Sequence, residues 1–248
     1  MNKHVRHPGK GGKGGRTYQP PIDHAAVKDG RTVFPSTVKD PDDVGNILKS
    51  GHHNPKIGKK VTKGRWKGFP IYTLTLEERK TCPRDCALWR ACYGNNMHQA
   101  QRWRHGPDLE LFLELELRDL AEKHPGGFVV RLHVLGDFYS VNYVRRWHLM
   151  LEMLPQLHVF GFTARIDPED PITKEIAAVR RAFPDRWYVR FSGTDLDEMQ
   201  TLASEVVDMP DQAHRTSIVC PEQTGKTAAC ATCGLCWHST KNIAFLRH

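Results

Sequence analysis

From Phe69 onward, short β-type runs alternate with longer stretches of helical period, and this alternation most constrains the fold. The strand candidates are Ile71–Leu76, Phe128–Leu135, His158–Thr163, Trp187–Phe191 and Thr216–Val219. Helix candidates lie near Asn96–Trp103, Asp108–Lys123, Val141–Leu154, Pro171–Phe183 and Asp195–Val206. Strands separated by helices imply a parallel sheet with right-handed crossovers. The stretch Leu109–Leu117 alternates Leu and Glu, which a period of two would make a strand. Leu and Glu both favour helix, however, and Leu109, Phe112, Leu113, Leu117 and Leu120 recur at helical spacing, so a helix is expected.

The strands predict more than their order. Arg131, His133 and Asp137 oppose Val130, Leu132 and Val134; Thr163 and Arg165 oppose Phe160 and Phe162. Tyr188, Arg190 and Ser192 oppose Trp187, Val189 and Phe191, and Thr73 and Thr75 oppose Tyr72, Leu74 and Leu76. Helices on both faces of a sheet make both faces apolar. One apolar and one polar face instead predicts a partial (β/α) barrel of mainly parallel strands, helices outside and a polar cavity within. An ordinary one-sided α/β sheet with a wet face is the plainer alternative. The expected organisation is a basic, partly disordered N-terminal region over 1–68, the partial barrel over 69–219, and a cysteine-rich segment over 220–248.

Seven cysteines fall into two groups, Cys82, Cys86, Cys92 and Cys220, Cys230, Cys233, Cys236. The basic stretch Met1–Gly15 has no apolar run behind it, and no run nears the roughly 18 apolar residues of a membrane span. A cytoplasmic protein with reduced thiols is therefore expected, in which clustered cysteines bind metal or do redox chemistry. Four thiolates close a metal or cluster site, whereas three leave a coordination position open. The proximal spacing is C-x3-C-x5-C, in the loop Glu77–Gly94 after the first strand, at the barrel rim where active sites are built. The distal spacing, C-x9-C-x2-C-x2-C, suits an iron–sulfur centre; structural zinc is the competing reading, and Cys220 could be a free thiol.

The charge is lopsided. Residues 1–68 hold 15 Lys and Arg against 5 Asp and Glu, while 69–248 hold 21 against 23. The Gly- and Lys-rich opening and the stretch 56–67, with its single aromatic Trp66, could contact phosphates by counterion release. A solvated tail that aids solubility is the bland alternative.

A cysteine triad after the first strand of a partial barrel resembles the radical S-adenosylmethionine superfamily, and His133-Val134-Leu135-Gly136-Asp137-Phe138 resembles its second-strand glycine-acid motif. More closely, Cys92-Tyr93-Gly94-Asn95, Gly136-Asp137-Phe138, Thr163-Ala164-Arg165 and Cys230-x-x-Cys233-Gly234-Leu235-Cys236-Trp237 resemble a phage and plasmid family of the gene-product-88 type, over roughly residues 70–248. The usual superfamily spacing is C-x3-C-x2-C with an aromatic before the third cysteine; here three more residues intervene and Tyr93 follows.

The resemblance implies two [4Fe–4S] clusters held by the two cysteine groups, with S-adenosylmethionine on the open iron of the first. The glycine-acid motif implies a cofactor contact at Gly136 and Asp137, with Tyr93, Thr163 and Ser192 as further expected cofactor contacts. Asp137, Arg165 and Arg190 are the expected catalytic residues, the arginines binding a carboxylate or phosphate or else pairing with an internal acid such as Asp137. The expected activity is reductive cleavage of S-adenosylmethionine and hydrogen abstraction from an unidentified substrate, with a reductant protein as partner and no membrane. A metal-stabilised nucleic-acid-binding protein, gripping phosphates through its basic N-terminus, is the alternative.

Overall fold

In the computed structural model, the described residues are 17–43, 45–193 and 202–247. In chain order they form helix α1 (Ala25–Lys28), strands β1 (Val38–Lys39), β2 (Lys49–Ser50), β3 (Ile71–Thr73) and β4 (Arg102–Trp103), helix α2 (Pro107–Lys123) and strand β5 (Phe128–Leu132). Helix α3 (Val141–Met153), β6 (Leu157–Thr163), α4 (Pro171–Ala182), β7 (Trp187–Ser192), β8 (Ala203–Val207) and β9 (Ser217–Val219) follow. The short helices α5 (Cys230–Cys233) and α6 (Leu235–His238) precede the last strand, β10 (Asn242–Leu246).

Eight strands make one open sheet in the order β2-β3-β5-β6-β7-β8-β10-β9. Only β2 runs antiparallel to its neighbour. Helix α2 leads from β4, which pairs with β1 in a separate two-stranded sheet, into β5. Helices α3 and α4 connect neighbouring parallel strands, and both start where side chains accept orphan amides. Ser140 Oγ accepts from Tyr143 N, and Asp170 accepts from Ile172 N with Pro171 in the first turn. Among the described residues no helix is long and apolar enough to cross a membrane.

One face of the sheet carries the main core. Leu109, Leu113, Leu117, Trp147 and Ile176 of the helices pack on Leu74, Val130, Leu132, Val159, Trp187 and Val189 of the strands. The Leu–Glu stretch is helix as expected, although Phe112 lies exposed. On the opposite face the expected polar interior is half filled: Ile57, Val61 and Trp66 meet Val129, Phe160, Tyr188, Ala231 and Trp237 in a second core. The stretch just after β5 and strand β6 depart from the face assignment. Val134 lies in the second core, and His133 bonds the Tyr143 hydroxyl of the main core. Leu157 and Val159 already serve the helices, so Phe160 and Phe162 point inward, and Thr163 sits with Asp137.

Two expected helices are not helices. Asn96–Trp103 is a 3-10 turn (Tyr93–Asn96) leading into β4, because the Arg102 guanidinium takes the carbonyls of Gly94, Met97 and Ala100 that a helix would need for its own amides. Of Asp195–Val206, residues 195–201 lie outside the described residues, and 203–206 belong to β8, bonded between β7 and β10. Strand β10 was not foreseen; it seats the C-terminal segment inside the sheet, between β8 and β9.

Candidate two-centre cysteine site

The loop after β3 has no regular structure, and buried polar side chains give it its shape. Arg102 and Glu78, both essentially without solvent contact, form a two-pronged ion pair at 2.6 and 3.0 Å. Glu78 also accepts from Thr32 Oγ1 at 2.8 Å. Arg79 is the one non-glycine among the described residues with a left-handed backbone (φ 64°). It is held there by bonds to the carbonyls of Trp89 and Arg31 and to Asn95 Oδ1. Asn95 in turn donates to Tyr18 O and Arg90 O. Residues 17–37 are thus part of the loop's scaffold. Cys82, Cys86 and Cys92 lie on this frame, each partly exposed. Burial pushes all three thiols above the ordinary range, Cys92 to about 12, and the Cys82 thiol feels both of the others.

Beneath Cys82 sits a latch. Gly136 has φ 82°, and a Cβ there would meet Thr81 Oγ1 at 2.6 Å and Leu76 Cβ at 2.7 Å, so the turn requires glycine. It delivers Asp137, whose Oδ1 accepts from Phe138 N and Thr163 Oγ1 and whose Oδ2 accepts from Ala164 N, each at 2.7 Å. Burial raises this carboxyl to about 6 despite those bonds. Arg165 ties the same corner together, donating to Phe138 O, Thr81 O and Asp170 Oδ2. The predicted residues Gly136, Asp137, Thr163 and Arg165 therefore converge beside Cys82, joined to one another.

The distal group is packed differently. Cys220 follows β9, and Cys230, Cys233 and Cys236 ride on α5 and α6, which Gly234 joins in a left-handed turn. All four cysteines line one hollow of ≈ 260 Å³, its open mouth included, together with Trp237 and Ile243. Cys230 N and Ala231 N donate to the carbonyls of Lys56 and Ile57, so the basic segment pins this end of the chain. Arg190, predicted to face substrate, is wholly buried here and donates to the carbonyls of Cys236, Ala203, Lys241 and Ser239. Ser192 bonds Ser204 and lies with Arg190 on β7, apart from the Asp137 corner. Among the described residues, no group of three or more His, Cys, Asp or Glu side chains is arranged to hold a metal ion as it stands.

Arg131 of β5 stands between the two groups. Its guanidinium stacks on Phe162 (4.8 Å) and Phe160 (5.6 Å), and one nitrogen donates to the carbonyls of Leu132 and His133. Burial lowers its pKa, and the groups that offset this are Tyr93, Cys230 and Cys236. Among the described residues neither Arg131 nor Arg190 pairs with a carboxylate. Tyr93 adjoins Cys92 and is 39% exposed as a residue, while burial of its hydroxyl raises that group's pKa. Arg131, Glu78 and Arg102 were not among the candidate site residues. An arginine in mid-strand on the inward face was the available signal for the first.

The family model for gene product 88 matches residues 46–239, well over half of the chain, so the chain belongs to that family. The match begins upstream of the expected limit near residue 70 and takes in the basic stretch 56–67. No curated protein and no solved structure matches the chain.

Proposed function

We propose that this gene-product-88 protein is an iron–sulfur redox enzyme with two thiolate-held centres. Cys82, Cys86 and Cys92 hold a [4Fe–4S] cluster with one position free of protein ligands, and Cys220, Cys230, Cys233 and Cys236 close around a second. The observation that carries this reading is Arg131, a guanidinium set among Tyr93, Cys230 and Cys236 without a carboxylate partner. A buried cation needs a counter-charge. Neutral thiols supply none; thiolates around a bound centre do, and Arg190 beside Cys236 repeats the arrangement on β7.

The finer reading is of radical S-adenosylmethionine type, and the consecutive neighbours β3, β5, β6, β7 and β8 suit an open partial (β/α) barrel. A reduced [4Fe–4S] cluster with a free position supplies one electron for cleavage of a bound sulfonium. The chain's own residues position and shelter that chemistry. Arg131 lies near Tyr93, Cys230 and Cys236. Asp137 has both oxygens engaged, so it acts as a positioning residue that fixes the corner carrying Thr81 and Cys82. The Trp66–Trp237 core packs part of the inner face. Reductant and S-adenosylmethionine added to anaerobically reconstituted protein should yield 5′-deoxyadenosine, and a Cys82→Ala, Cys86→Ala, Cys92→Ala protein should not. No product from protein with full clusters would remove S-adenosylmethionine and leave the two centres standing.

A further inference from the structure

We infer that residues 59–71 form a docking surface for the phosphodiester backbone of nucleic acid, at the opposite end of the sheet from the proximal thiols and independent of what the thiols hold. The segment is a built hairpin. Val61 N bonds Phe69 O, Gly68 N bonds Val61 O and Ile71 N bonds Lys59 O, each at 2.9 Å. Trp66 anchors it, 1% exposed and stacked on Trp237. Gly64 (φ 77°) lies so close to His238 that a Cβ would fall 2.0 Å from its Nε2, which fixes the hairpin against the distal cysteine segment.

This rigid frame displays one sign of charge. From Val44 to Leu76 the sequence has seven Lys and Arg and no Asp or Glu. Arg65 pairs with Asp185 and Lys56 with Glu222, while Lys49 lies over the Trp103 ring. Lys59, Lys60, Lys63 and Lys67 are exposed and make no ion pair among the described residues. Four unpaired lysines on nine residues of fixed backbone repel one another, and a polyanion relieves that repulsion. Arg180 extends the face, stacked at 4.5 Å on Tyr188, whose hydroxyl also accepts from Arg65. Of the hairpin's two aromatics, Trp66 is buried and Phe69 packs on His158, so contact is with phosphate and independent of sequence.

The hairpin precedes β3, whereas the proximal cysteines follow it. Nucleic acid bound here is therefore held away from the proximal centre.

The test is fluorescence anisotropy of labelled DNA duplexes of unrelated sequence over a salt series, using the full chain. Wild type should bind them equally, and a Lys59→Gln, Lys60→Gln, Lys63→Gln, Lys67→Gln protein should lose about 3–4 from the slope of log K against log salt. The Lys→Arg counterpart should retain the slope, as should a Cys82→Ser, Cys86→Ser, Cys92→Ser protein. Circular dichroism melts establish that each variant is folded. An unchanged slope in the folded Gln variant would overturn the inference. So would equal binding of polyglutamate or anionic vesicles at the same salt.

Discussion

Trp66 and Trp237 stack face to face, ring centroids 5.7 Å apart and planes 10° from parallel, although 170 residues of sequence separate them. The stack joins the basic hairpin to the distal cysteines, and Phe160 closes on Trp237 at 4.6 Å. Trp66→Ala and Trp237→Ala should each cost about 3–5 kcal/mol. Since each removes the other's partner, the double variant should cost clearly less than the sum. Urea unfolding of the four proteins checks this.

The buried Glu78–Arg102 pair predicts a second asymmetry. Arg102→Met leaves Glu78 without a counter-charge and should destabilise by about 3–5 kcal/mol. Adding Glu78→Leu should recover part of that loss. Recovery stays incomplete because Arg102 also holds the carbonyls of Gly94, Met97 and Ala100. The same denaturation series reads both effects.

Two buried groups give opposing acid responses. Burial lowers His133 to about 3, so between its folded and ordinary values the unfolded chain binds the extra proton and stability rises with pH. Burial raises Asp137 to about 6, so the folded chain holds the extra proton above the ordinary value near 3.8, and stability falls as pH rises towards 6. Their contributions cancel between pH 4 and 6. In His133→Asn the Asp137 slope should stand alone, with stability falling by about 1.4 kcal/mol per pH unit across that window. In Asp137→Asn the slope should reverse sign. Equal curves for the two variants would contradict the burial of either group.

Arg131 gives the electrostatic prediction. Arg131→Met removes the cation beside Cys230 and Cys236 and should weaken metal retention at the distal group by about 10–100-fold. Arg131→Lys keeps the charge and should restore most of it. Competition with a chelator, followed by absorbance, measures the loss.

Much of the sheet was legible because its elements are locally consistent. Helices α2, α3 and α4 carry apolar residues at helical spacing, and Ser140 and Asp170-Pro171 mark the starts of α3 and α4. The loop 77–103 was not legible, because long-range side-chain bonds from Arg79, Arg102 and Asn95 set its path and leave no periodic trace. Strand β8 was misread because its pairing with β7 and β10, not its own pattern, makes it a strand. The cysteines and the Gly136–Asp137 turn stood out by spacing. Arg131 did not, since its neighbours Tyr93, Cys230 and Cys236 are distant from it in sequence. Trp66, read as one aromatic in a basic stretch, is a core anchor.

The central claim is that the two thiol groups hold two separate iron–sulfur centres. The direct measurement is iron, sulfide and zinc per chain after anaerobic reconstitution, in wild type and in proteins with either cysteine group changed to serine. The account predicts about eight iron and eight sulfide in wild type, falling to about four of each in either variant. Zinc without sulfide, or iron that survives the loss of both groups, would contradict it.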